Sequence, residues 1–191
     1  MGSADEPTLP FETRDAWEAW LAANHESESG VWIRFARKAS GVRSVTHAEA
    51  LEVALCYGWI DARSRGVDGT HWVQRFTPRS RRSTWSKVNR EKAVALIERG
   101  AMRPAGLREV ERARADGRWD AAYDPPSTAT VPDDLREALD RDPEARAFFE
   151  SLDSRNRYAI LYRLQAAKRP ETRARRLETF VTMLSEGRTI Y

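Results

Sequence analysis

Trp59-Ile-Asp-Ala-Arg-Ser-Arg-Gly-Val-Asp-Gly-Thr-His-Trp-Val-Gln-Arg-Phe76 is the stretch that decides the fold. Residue types alternate on either side of Val67-Asp68-Gly69, a turn sequence, so the run reads as two strands of a β-hairpin. Side chains alternate along a strand with period two. An even-length turn puts Trp59, Asp61 and Arg63 on one sheet face with Trp72, Gln74 and Phe76, leaving Ile60, Ala62, His71, Val73 and Arg75 on the other. An odd-length turn swaps that pairing, and the residues alone leave the register open.

Upstream, Val31, Ile33 and Phe35 alternate with Trp32 and Arg34, the pattern of a further strand. Thr13 caps an expected helix to about Asn24 with Trp17, Trp20 and Leu21 on one stripe. Thr46-His-Ala-Glu49 has capping-box form and opens a helix to about Tyr57. Downstream, Ser86 is expected to cap a helix that stops near Gly100, and Pro104 opens another that ends at Gly117. After Asp124-Pro-Pro-Ser127, four more helices are expected, over about 132–140, 143–152, 154–168 and 170–186. Tyr158, Leu161 and Tyr162, then Leu177, Val181 and Leu184, give the two longest their apolar stripes. The fold class is therefore α+β: a small antiparallel sheet with a hairpin packed against helices, followed by an all-helical C-terminal part. The Pro-rich break divides the chain into an α+β part, residues 1–124, and a helical part, residues 125–191.

The 191 residues are 41% hydrophobic and 32% charged, the composition of a globular chain, with no apolar run long enough to span a bilayer. The start, MGSADEPTLPFETRDAW, has neither a basic n-region nor an apolar h-region, and Glu6 stands where a myristoylation signal carries Ser or Thr. Cytoplasmic residence is the expectation, and a lone cysteine, Cys56, fits a reducing compartment. Charge is unevenly placed. Eight cations from Arg63 to Arg90 face one acid, Asp68, and eight from Arg155 to Arg176 face Glu171, although the whole chain is only +3. Asp5, Glu6, Glu12, Asp15, Glu18, Glu26 and Glu28 supply an acidic side.

Aromatics and arginines together in Cys56–Arg90 point to a ligand or partner surface. The expected ligand-binding residues are Trp59, Asp61, His71, Trp72, Arg75, Arg79, Trp85 and Lys87. Arginine's planar fork suits phosphate or carboxylate, which makes an anionic small molecule or an acidic protein the expected partner. The same tryptophans also read as core with a solvated arginine rim. Thr77-Pro-Arg-Ser-Arg-Arg-Ser-Thr-Trp-Ser86 reads either as a phosphate-binding loop or as a connector whose Ser83 and Ser86 cap the next helix. His25, His47 and His71 are widely spaced, so no metal, cofactor or catalytic residue is assigned. Cys56 reads as a buried small hydrophobe. Single-stranded nucleic acid stacking on Trp72, Phe76 and Trp85 is an alternative. A small-molecule enzyme using Asp61 or His71 as acid-base with Arg75 as anion clamp is another.

Gly30-Val-Trp-Ile-Arg34, Ala50-Leu-Glu-Val-Ala-Leu-Cys-Tyr-Gly-Trp-Ile-Asp61, Gln74-Arg-Phe-Thr-Pro-Arg79, Ser83-Thr-Trp-Ser-Lys-Val-Asn89 and Gly100-Ala-Met-Arg-Pro-Ala-Gly106 stand in an order that resembles the YdeI/OmpD-associated, or bacteriocin-protection, family. Gly117-Arg-Trp-Asp-Ala-Ala-Tyr123, Val131-Pro-Asp-Asp-Leu135, Ala147-Phe-Phe-Glu-Ser-Leu152 and Ala167-Lys-Arg-Pro-Glu-Thr-Arg-Ala-Arg-Arg176 resemble that family's helical C-terminal signature. The resemblance spans Trp17 to Gly187. It implies an α+β first part, a helical second part and a role in tolerance of bacteriocins or antimicrobial peptides, without a defined reaction. Together these readings predict a non-catalytic binding or stress-tolerance protein.

Overall fold

Val31, Ile33 and Phe35 alternate because one side of their strand must leave water, and all three are buried in the computed structural model, which describes residues 6–191. The Met1-Gly2 start and Asp5 lie outside the described residues. The chain forms two compact units. One runs to Trp85 and resumes over Asn89–Ala121; the other comprises Ser86–Val88 and Ala122–Tyr191.

In the first unit, four strands, β1 (Thr8–Pro10), β2 (Val31–Ala36), β3 (Trp59–Gly66) and β4 (His71–Pro78), form one sheet in the order β1-β2-β4-β3. The expected α+β fold is present. Its sheet is mixed rather than purely antiparallel, because β1 adds beside β2 in parallel. That three-residue edge strand ends in Pro10, which has no N–H to give a ladder and leaves little strand pattern to read.

Register follows the core. Phe76 faces Val31 across β2 and Asp61 across β3, and Trp72 faces Phe35. Trp59, Asp61, Trp72, Gln74 and Phe76 therefore share the inner face, although the turn between paired Gly66 and Trp72 is odd in length, because a bulge in β3 restores the pairing. Arg63 departs from its expected face: the bulge, between Asp61 and Ser64, makes Ser64 the partner of Gln74. From Ala62 to Gly66, β3 is an exposed edge.

Two helices cover the inner face. Thr13 Oγ1 accepts from Ala16 N and starts α1 (Arg14–Asn24). Both halves of the capping box form at Thr46 and Glu49 and start α2 (His47–Cys56). Trp17, fully buried, donates its indole N–H to Ala50 O at 3.0 Å and lies 5.7 Å from the Phe76 ring. Next come α3 (Lys87–Glu98), whose residues from Asn89 onward belong to this unit, and α4 (Pro104–Ala115). Gly100 and Gly117 take the left-handed conformation that ends these two helices.

The second unit is helical: α5 (Asp133–Asp140), α6 (Pro143–Ser151), α7 (Ser154–Gln165) and α8 (Pro170–Ser185). Leu135, Leu139, Phe149, Ile160, Leu164, Phe180 and Leu184 form its core. Arg173 ties α8 to α5 through paired bonds of 2.7 and 2.9 Å to Asp134. The stripe expected on α7 is rotated: Ile160, Leu161 and Leu164 are buried, whereas Tyr158 and Tyr162 are half-buried.

Gly106 in α4 shows how closely the first unit is packed. A Cβ there would lie 2.4 Å from Cys56 O and 2.7 Å from Leu55 O, both backbone atoms of α2. Alanine normally favours a helix over glycine, but here Gly106→Ala should destabilise the protein by about 1–3 kcal/mol, measured by urea denaturation.

Candidate functional site

Of the residues expected to bind, Asp61 and Trp72 meet on the inner sheet face, and His47 joins them. The capping box fixes His47 at the first position of α2. Its Nε2 lies 3.2 Å from Asp61 Oδ2, and its ring lies 5.9 Å from Trp72, which stacks on Phe35 at 4.8 Å. The His47 side chain is 36% exposed and that of Asp61 27%, so the pair reaches solvent over an aromatic floor. Trp59 lies deeper, buried, with its indole N–H donated to His25 O at 3.2 Å.

His71 and Arg75 occupy the opposite face, paired across β2 with Ala36 and Trp32. His71 Nδ1 lies 2.7 Å from Thr70 Oγ1. Asp68 Oδ1 accepts from the Thr70 hydroxyl and from the backbone N–H of Thr70 and His71, which hold its carboxyl down at about 2. Arg75 makes a forked pair with Glu6 at 2.6 and 2.5 Å, and this bond lowers the Glu6 pKa. Gly30 leaves the space that pair occupies, since a Cβ there would lie 2.8 Å from Glu6 Oε1.

Arg79 and Trp85 come together a few residues on. The Arg79 guanidinium lies 3.6 Å over the Trp85 ring, and the residue is only 6% exposed. Three arginines each take one carbonyl of the loop between β4 and Trp85. Arg79 Nη1 donates to Thr84 O at 3.1 Å, Arg112 Nη2 to Arg79 O at 3.4 Å and Arg118 Nη1 to Ser83 O at 2.6 Å. Arg112 also donates to Glu109, and Arg118 Nε to Asp116 at 2.8 Å. Burial raises the Glu109 pKa against the pull of Arg112, Arg79 and Arg118. Trp85 meets Trp119 edge to face at 4.9 Å.

Within the loop, Ser83 Oγ accepts from Ser80 N at 2.9 Å, and Ser83 N donates to Ser80 O at 3.0 Å. Ser83, read as a helix cap, instead closes the loop on itself. Ser86 bridges to Tyr123. Arg81 and Arg82 remain exposed at the tip.

Lys87 belongs to the second unit and pairs with Asp124 at 2.5 Å, a bond that lowers the Asp124 pKa. The eight expected binding residues thus divide among the inner sheet face, the outer sheet face, the loop and the second unit. Burial pushes the Cys56 thiol up to about 11, which keeps it protonated at neutral pH. Among the described residues, no group of three His, Cys, Asp or Glu could hold a metal, and no helix is long and apolar enough to cross a membrane.

Residues 9–109 match the family described as a domain of unknown function (DUF8412). Residues 128–187 match the family described as Bacteriocin-protection, YdeI or OmpD-Associated. The chain belongs to the DUF8412 family, and its helical part is similar to the YdeI/OmpD-associated family. The YdeI/OmpD-associated match thus covers the helical part of the resemblance read from Trp17 to Gly187, and the hairpin falls in the DUF8412 part. No curated protein and no solved structure matches the chain.

Sequence reading passed over His47 in the DUF8412 part, and Glu109, Arg112 and Arg118. The capping box did locate His47 at a helix start, but its approach to Asp61 is tertiary. Arg112 and Arg118 carry no local signal, because alternating charge on a helix end reads as a solvated face. Arg79→Met keeps the stem and removes the guanidinium that faces Trp85 and Thr84 O. The variant should lose about 1–2 kcal/mol of stability in urea denaturation, the worth of one cation–π contact and one hydrogen bond to a neutral carbonyl.

Proposed function

We propose that the protein is a non-catalytic binder of an anionic ligand, and that Arg81 and Arg82 at the tip of the arginine-pinned loop make the contact. One observation carries this reading: three arginine side chains each bond a different carbonyl of that loop. A loop so held has little entropy left to lose on binding, which favours affinity at its exposed tip. Two guanidinium forks side by side suit a phosphate or a carboxylate. Arg79 and Trp85 then act by positioning, since both are buried. The ligand class is a phosphorylated small molecule or an acidic segment of a protein, met in the cytoplasm as part of a stress- or bacteriocin-tolerance role in keeping with the family description. Nucleic acid is less well supported, because Phe76 and Trp85 are fully packed and offer no face for a base.

Isothermal titration with inorganic phosphate, a nucleotide diphosphate and a polyglutamate peptide tests the reading. At least one should bind, with affinity falling as salt rises. The double change Arg81→Gln with Arg82→Gln should weaken it by about 10-fold or more without altering the melting temperature. Absence of binding by all three, or an unchanged affinity in the variant, overturns the proposal.

A second reading rests on the His47–Asp61 bond, since a carboxylate that orients an accessible imidazole is the arrangement of an acid-base pair. It keeps Asp61 from the expected Asp61 or His71 acid-base and puts His47 in place of His71. A substrate-library turnover found in the parent protein should drop at least about 100-fold in His47→Ala. Full turnover in that variant removes the pair from any mechanism.

A further inference from the structure

The second unit holds a cavity of about 500 Å³ against α7, within the range of small-ligand sites. Arg155, Tyr158, Tyr162 and Arg163 line it from one face of that helix, at the spacing that brings residues three, seven and eight apart onto a common side. Tyr191 forms another wall. Its ring lies 4.2 Å from the Arg155 guanidinium and 5.6 Å from that of Arg163. A buried asparagine sets that wall: Asn156 Oδ1 accepts from Ile190 N at 3.1 Å and from Tyr191 N at 3.0 Å. Asn156 Nδ2 in turn donates to Asp153 Oδ1 at 3.1 Å.

Three tyrosine rings and two arginines therefore border the space, and none of its lining side chains is acidic. Tyr158 gives its hydroxyl proton to Asp124 O at 2.7 Å, and burial pushes its phenol up to about 12, so it lines the cavity as a neutral ring. Arg163 spends one donor on Ala159 O at 3.2 Å. The Arg155 guanidinium lies over Tyr191 and holds no side-chain hydrogen bond among the described residues, while the backbone N–H of Arg155 bonds Asp153, whose carboxyl pKa its charge helps to lower. A guanidinium lying over a ring keeps its N–H groups in its own plane, directed away from the ring, where they can grip a carboxylate in forked geometry. Flat tyrosine faces favour a flat partner.

We propose that this cavity binds a small planar aromatic carboxylate, its ring against the tyrosines and its carboxylate on Arg155 with Arg163. This site is separate from the Arg81–Arg82 loop and does not rest on it.

Titration calorimetry on the full chain with benzoate and salicylate, against benzamide and salicylamide, tests it. The acids should bind at least about tenfold more tightly than their amides. Arg155→Gln should lower acid affinity by about 10- to 100-fold and leave the amides unchanged. Tyr191→Ala should weaken acids and amides alike; Tyr191 is 60% exposed, so the fold survives, as an unchanged circular-dichroism melt will show. The Arg81→Gln with Arg82→Gln variant should bind both acids as the parent does, which separates failure here from failure at the loop. Equal affinity for acid and amide, no binding by either acid, or acid affinity unchanged in Arg155→Gln overturns the proposal.

Discussion

Trp17 is the residue on which the first unit turns. It is fully buried, its ring meets Phe11, Trp20 and Phe76, and its single N–H is satisfied by Ala50 O. One side chain thereby joins α1 to α2 and both to the sheet. An indole has one donor and a large apolar body, so it fits only where a carbonyl stands at the edge of an apolar space. Ala50 supplies that carbonyl because the capping box sets where α2 begins. The inner-face register follows, since Phe76 must lie against Trp17 and a slip of one residue would turn it to the other face.

Charge obeys the same demand for partners. Arg75 finds Glu6, and Arg103 finds Glu18 at 2.8 Å. Glu6 and Glu18, near the start of the chain, are thus drawn into pairs with arginines far along it. Arg79 goes furthest from water and is held by a ring face and a carbonyl. Such contacts limit the cost of burying a cation and fix geometry more than they add stability. The loop's shape comes from arginines outside it as much as from its own residues.

The hairpin, the capping box and the C-terminal helices were legible because each is written in local period and terminal residues. Helix α2 begins and ends within a residue of its expected bounds. β1 was not legible, since three residues ending in proline carry no alternation, and its pairing with β2 is a long-range event. Sites suffered most. Composition pointed to Arg75 and His71, yet each is occupied by a neighbour that sequence distance or strand facing concealed: Glu6 for one, Thr70 and Asp68 for the other. Tyr158 and Tyr162 read as core because a helical stripe records periodicity and not depth; a small rotation of α7 exposes them.

The bulge in β3 bears on how the molecule behaves among its own copies. From Ala62 onward this strand lies at the border of the sheet with one row of backbone groups unpaired, a geometry that invites a second molecule to extend the sheet. The extra residue between Asp61 and Ser64 twists the border out of line, and Arg63 and Arg65 put like charges along it. Two such borders brought together would set cation against cation with mismatched ladders. The kink that displaced Arg63 from the aromatic face therefore also makes this border a poorer template for a further strand.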